Sequence, residues 1–208
     1  MPIGEEKASG AHFYEKWGVT IEAFGFSVGI WVLWKETILV DVLFTHPQFV
    51  AVKVTENNSS SRNLSLVYGS PCHSLWKDLY YEITRCELNS HDGWLSIGDY
   101  NSVVSSNEIS NRNNFSSIRC PGFNEWIVWE GHIDIGFSGL KYTLARGVNS
   151  TSFKGARLDR AICSVEWRLW FPDAEVIHLP RVSSDHTPLL VRLSPPSVST
   201  RVIEEIQV

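Results

Sequence analysis

The sequence predicts an α+β sandwich, with two packed and mainly antiparallel sheets inside and helices outside. Three observations carry that prediction. Short runs rich in Val, Ile, Leu and Trp follow one another with turn-length gaps, and only two stretches show helical spacing. Those two helical stretches are set apart by runs of strands instead of alternating with single ones. Third, 208 residues that are 43% hydrophobic and 20% charged suffice for the core of one domain, and nine Trp with ten Phe can fill sheets and helix–sheet seams.

The elements follow in order. Strands are expected at 29–35, 38–44, 49–55 and 63–68, punctuated by Thr45-His46-Pro47 and a polar cluster at 57–62, which reads as an antiparallel meander. From Ser74 onward Leu75, Trp76, Leu79, Tyr80 and Ile83 recur at i, i+3, i+4 spacing and give a helix one apolar face. A short buried strand at 94–98 ends at Asp99. The stretch 102–119 is dense in Asn and Ser and reads as a loop. Pro121 can open a second helix, with Phe123, Trp126 and Ile127 turned inward. Further strands are expected at 133–135, 141–145, 157–162, 174–179 and 188–193. One domain therefore spans 1–194, and 195–208, with Pro195-Pro196, is expected to be an unstructured tail.

Composition narrows the function classes. A net charge of −5 argues against a protein that holds DNA tightly by neutralising phosphates over its whole surface, but says little about an enzyme with a local groove. Cys72, Cys86, Cys120 and Cys163 are scattered, so neither a zinc site nor a disulfide framework is expected. Reduced thiols in the nucleus or cytoplasm are the simpler reading, and the chain is not expected to be secreted. The longest apolar stretch, 24–34, is too short to cross a bilayer and reads as a buried strand. No membrane association is expected, and no stable protein partner is legible.

Several polar residues could carry chemistry, and each has a bland reading beside it. Asp99 and Asn101 stand two apart after the strand at 94–98, so in extended chain both project from one side and could position a water and hold a phosphoryl oxygen. The same residues are ordinary composition for an Asx turn. Asp185-His186 lies between two apolar strands, where a carboxylate could hold Mg²⁺ and an imidazole could meet a phosphate, or both could sit in a polar connection. Asp159, between Arg157 and Arg160, is either a salt-bridged surface acid or the group that orients a histidine. Tyr68 at a strand end and Thr143 could each bind phosphate or simply pack.

Taken in order, these pieces resemble the endonuclease/exonuclease/phosphatase superfamily, the group of DNase I and the apurinic endonucleases, and within it the endonuclease domain of plant LINE-type (non-LTR) retrotransposons. The matching phrases run from Gly25-Phe-Ser-Val-Gly-Ile-Trp-Val-Leu-Trp34 through Val67-Tyr-Gly-Ser-Pro71, Trp94-Leu-Ser-Ile-Gly-Asp-Tyr-Asn101 and Gly136-Phe-Ser-Gly-Leu-Lys-Tyr-Thr143. Ala156-Arg-Leu-Asp-Arg-Ala161 and the stretch from His178 to Leu190 complete them. The resemblance implies a four-layer α/β sandwich of the DNase I type. It also implies an Mg²⁺-dependent phosphodiesterase, with Mn²⁺ as a possible substitute and DNA as substrate. By the same resemblance Glu5 and Asp185 would be metal-associated acids, Asp99 would position or deprotonate the attacking water, and His186, oriented by Asp159, would contact the scissile phosphate. Asn101 and Tyr68 would hydrogen-bond the phosphate, and Thr143 and Ser184 would be further substrate-binding positions.

Departures from the family pattern set a second expectation. The family's first core strand, with an active-site Asn, should precede the acidic motif, whereas only Met1-Pro2-Ile3-Gly4 precedes Glu5. Glu6 replaces the usual Thr, and Leu144 stands where a Trp is usual. The chain is accordingly expected to lack that strand, as a fragment of a retroelement polyprotein. Its alternatives are a catalytically inactive remnant of the domain or a phosphatase of the same superfamily.

Overall fold

The computed structural model describes residues 16–21, 30–56, 61–87, 93–110, 122–147, 152–193 and 205–207. Its strands are β1 (Lys16–Ile21), β2 (Ile30–Lys35), β3 (Ile38–His46), β4 (Phe49–Glu56), β5 (Arg62–Tyr68), β6 (Trp94–Asp99) and β7 (Ile133–Asp134), then β8 (Ser138–Gly139), β9 (Leu144–Arg146), β10 (Lys154–Ala156), β11 (Asp159–Cys163), β12 (Glu175–His178), β13 (Leu189–Arg192) and β14 (Glu205–Gln207). The helices are α1 (Trp76–Glu87), α2 (Phe123–Trp129) and α3 (Val165–Trp170). A six-stranded sheet runs β3-β4-β5-β6-β11-β7, a four-stranded sheet runs β14-β13-β12-β8, and β1-β2 and β10-β9 form separate ribbons. Pairing is antiparallel except between β5 and β6 and between β12 and β8.

The two faces of the six-stranded sheet are buried differently. One face meets the helices: Trp76, Leu79, Tyr80 and Ile83 of α1 and Phe123, Trp126 and Ile127 of α2 close over Phe49, Val67, Trp94 and Ile162. Tyr80 lies stacked on Trp126 with centroids 5.0 Å apart. The other face meets the second sheet, where Leu66, Leu95, Ile97 and Ala161 pack against Val176, Leu189 and Val191. β6 lies in the middle with all six residues buried, so whatever stands at its end starts from a rigid platform. The parallel β5–β6 pair needs a crossover, and α1 supplies it. This is the expected sandwich of two packed sheets with helices outside.

Several local features differ from the sequence expectation: β1, β8 and β10 fall where no strand is expected, and Trp31 and Leu33 of β2 are exposed although 24–34 reads as a buried strand. α3 has no counterpart there, because six residues with only Trp167 buried are too short to show a period; the Ser164 hydroxyl caps it by accepting from the Trp167 amide. The expected strand at 141–145 shifts to Leu144–Arg146 and forms a ribbon with β10. Within the expected tail, Glu205–Gln207 pair with β13, Val191 opposite Ile206. Among the described residues no helix is long and apolar enough to cross a membrane. Cys72, Cys86 and Cys163 are free thiols.

Candidate active site

Strand register alone brings three of the candidate residues to one rim. The parallel pairing of β5 and β6 sets Tyr68 beside Asp99, and the antiparallel pairing of β6 and β11 sets Asp159 opposite Asp99. Gly69 makes the close approach possible. Its amide donates to the Asp99 carbonyl at 2.6 Å, and a Cβ there would lie 2.8 Å from the Tyr100 carbonyl oxygen. A side chain at this position would therefore push β5 away from the end of β6.

After Asp99 the chain turns sharply. The Asn101 amide donates to Asp99 Oδ1 at 2.8 Å, which is an Asx turn, and Asn101 takes φ 49, a left-handed conformation that Asn tolerates. Asn101 is therefore not an extended continuation of β6. The turn returns its side chain toward the strand end instead, with Nδ2 donating to the Gly69 carbonyl at 2.7 Å and to Asp99 Oδ2 at 3.2 Å. The bland and the functional readings of Asp99-x-Asn101 coexist: the turn is what fixes the carboxylate.

His186 arrives from the other sheet's side of the chain. The segment 185–187 is tied to 143–145 by Ala145 N donating to Asp185 O at 2.9 Å and Thr187 N donating to Thr143 O at 2.8 Å, with Leu144 bridged to His186. The His186 ring then places Nδ1 at 3.1 and 3.3 Å from the two oxygens of Asp159. With Asp159 ionised, Nδ1 is the donor, leaving Nε2 to face a ligand. Asp159 is buried and belongs to His186, so it is not a surface acid paired with its neighbours. Thr143, expected to meet substrate, lies fully buried beneath it, its hydroxyl accepting from Leu158 N at 2.9 Å and Asp159 N at 3.0 Å. It braces the backbone of Asp159.

The remaining expected residues fall further out. Asp185 Oδ2 is taken by Arg146 Nε at 2.6 Å in a largely exposed pair, and the hydrogen bond from Arg146 holds its carboxyl below the usual range. The exposed Ser184 hydroxyl accepts from the His186 amide at 3.1 Å, so it orients the loop. Glu5 lies outside the described residues.

Electrostatically the rim is short of positive charge. Burial, reinforced by the nearby Asp159 carboxylate, pushes Asp99 up to about 7. His186 moves up as well, because its hydrogen bond to Asp159 outweighs burial. One ligand atom from each of Asp99, Asp159 and His186 lies within 4.8 Å of the others. Two hard carboxylate oxygens crowded at one rim form a donor set that a divalent cation fits.

A second cluster was not foreseen. Arg157 and Arg160, read from sequence as neighbours of Asp159, instead pair with Glu108 and Asp134 at 2.8–2.9 Å. The signal that could have found it is Arg160 itself, a cation leading the apolar run Ala161-Ile162-Cys163, which requires acids to meet it.

No family model matches the sequence, and no curated protein sequence matches it. Among solved structures 23 chains match. One of them is the endonuclease domain of TRAS1, a telomere-specific non-LTR retrotransposon, with a TM-score of 0.64, 14% identity, and coverage of 85% of this chain and 78% of that one. The chain thus has the fold of a DNase I-like endonuclease domain.

Proposed function

We propose that this protein is a divalent-metal-dependent phosphodiesterase that cuts DNA, derived from the endonuclease domain of a plant LINE-type retrotransposon. The observation that carries the proposal is the meeting of Asp99, Asp159 and His186 within 4.8 Å at the ends of β6 and β11. The likeness in fold to a retrotransposon endonuclease supports the substrate class. So do the exposed cations Lys141, Arg146 and Lys154 on and beside the β9–β10 ribbon, which adjoins the His186 segment and could meet phosphates locally despite the acidic whole.

In this reading Asp99 and Asp159 hold Mg²⁺, or Mn²⁺, with Glu5 as a further ligand. The bound cation would stabilise charge growing on the phosphate oxygens. Asp99, rigid at the end of a buried strand and locked by Asn101, would position the attacking water. Asp159 holds the His186 ring so that Nε2 points a proton at the scissile phosphate, and the Tyr68 hydroxyl donates beside it. Asp185 and Ser184, on the loop outside the rim, would be further metal-associated and substrate-binding positions.

The test is nicking of supercoiled plasmid by the purified chain in Mg²⁺, with EDTA as the blank. Asp99→Ala and His186→Ala should each lower the rate by roughly 100- to 10,000-fold. Cleavage that survives both substitutions would remove the reading.

A further inference from the structure

Glu108, Asp134, Arg157 and Arg160 form a closed square. Arg157 binds Glu108 Oε1 at 2.9 Å and Asp134 Oδ1 at 2.8 Å, while Arg160 binds Glu108 Oε2 and Asp134 Oδ2, both at 2.8 Å. Two cations meet two anions, and Arg160 is wholly buried. The square joins three segments. Glu108 lies in the loop that follows Asn101, where its Oε2 also accepts from Val104 N at 2.7 Å. Asp134 ends β7, and its Oδ1 also accepts from Gly136 N at 3.0 Å. The arginines bracket Leu158 and Asp159, and Arg160 Nη2 reaches back to the Arg157 carbonyl at 3.2 Å.

Two buried arginines and two partly buried acids are a poor way to gain stability, because apolar side chains of similar volume usually do no worse. What they fix is geometry. The Leu158 and Asp159 amides rest on the Thr143 hydroxyl, and the Leu158 carbonyl accepts from Tyr100 N at 3.0 Å. The square holds the residues on either side of that pair. It also keeps both guanidinium groups engaged. An arginine released from its acid lies next in the chain to Asp159, the carboxylate that His186 needs.

We propose that Glu108 and Asp134 are positioning residues for the Asp159–His186 pair: by holding the two arginines that flank Asp159, they set where its carboxylate lies and keep it for the imidazole. The consequence for turnover rests on the nuclease reading above. The consequence for the hydrogen bond does not.

Two variants of the full chain test this. Glu108→Leu with Arg160→Met removes one charge of each sign, and Arg157→Lys keeps the charge but loses the fork that spans both acids. The readout is the low-field proton resonance of His186 Nδ1, identified by its loss in His186→Gln, alongside circular dichroism and plasmid nicking. The double variant should melt near the parent temperature yet lose or displace that resonance, with kcat lower by roughly 10- to 100-fold and KM little changed. Arg157→Lys should fall between the two, and the resonance is compared in whichever variant keeps the parent circular dichroism. A folded variant whose resonance stays in place overturns the proposal. If the parent itself does not nick, the nuclease reading falls and the resonance alone decides.

Discussion

Two clusters of ionisable side chains meet at the start of β11, and they are built on opposite terms. The square of Glu108, Asp134, Arg157 and Arg160 is balanced. Burial would raise Asp134, but the hydrogen bond from Arg157 and the charges of both arginines outweigh it and hold the carboxyl below its usual range. Burial would lower Arg160, and Glu108 and Asp134 more than reverse it. The rim of Asp99, Asp159 and His186 has two acids and one imidazole, and there burial and like charge push Asp99 the other way. A buried acid with its partners in place is a structural element; one forced toward its protonated form is poised to take up a cation. The difference separates scaffold from candidate site more sharply than any residue type does.

The largest expected effect comes from breaking the balanced cluster. Arg160→Ala removes a wholly buried guanidinium and leaves Glu108 and Asp134 to share Arg157 alone, which should cost about 3–5 kcal/mol of stability, read from urea unfolding. The rim should respond with the opposite sign. Asp99→Asn should stabilise the metal-free fold, because it removes a charge the native state disfavours, and in Mg²⁺ it should abolish nicking.

That gain depends on pH in a way that can be worked out. The folded-state pKa of Asp99 is raised from 3.8 to about 7, so its contribution favours the fold below 3.8 and is lost as pH rises through about 7. The advantage of Asp99→Asn over the parent should therefore grow from pH 4 to 7 and then level off at a few kcal/mol, since each pKa unit is about 1.4 kcal/mol. His132 runs the other way, since burial lowers it to about 4 and its contribution is lost as pH falls from 6.5 through that value. Only the difference between the two proteins isolates Asp99. A difference that is flat with pH would mean that the rim is no more strained than the square.

The two clusters were also unequally legible in the sequence. Asp99, Asn101, Asp159 and His186 stand at strand ends or turns, where polar residues interrupt apolar runs; strand register then sets Asp159 opposite Asp99, the turn returns Asn101, and the tether to 143–145 delivers His186. The six-stranded core was legible for the same reason: buried strands write themselves as continuous runs of Val, Ile, Leu and Trp. The square was not. Arg160 meets Asp134 across 26 positions and Glu108 across 52, and nothing local to either acid marks it as a partner. Glu108 sits in a Ser/Asn-rich loop, and Asp134 ends a two-residue strand. Proximity in the chain pointed Arg157 and Arg160 toward Asp159, whereas the fold turns both to longer-range acids.

Asp185 and Arg146 lie between the two cases, and they allow the smallest and most discriminating test. Theirs is a pair of opposite charges, as in the square, but it is largely exposed, with side-chain accessibilities of 67% for Arg146 and 41% for Asp185. Solvent screens such pairs, so Arg146→Ala should change stability by less than about 1 kcal/mol. Its effect on the rim tests what Asp185 is for. If Asp185 helps to hold the cation, Arg146 competes with that cation for the same oxygen, and its removal should lower the Mg²⁺ concentration needed for half-maximal nicking. If Asp185 only tethers the 183–187 loop to the β9–β10 ribbon, the Mg²⁺ requirement should stay where it is, and Asp185 drops out of the divalent site.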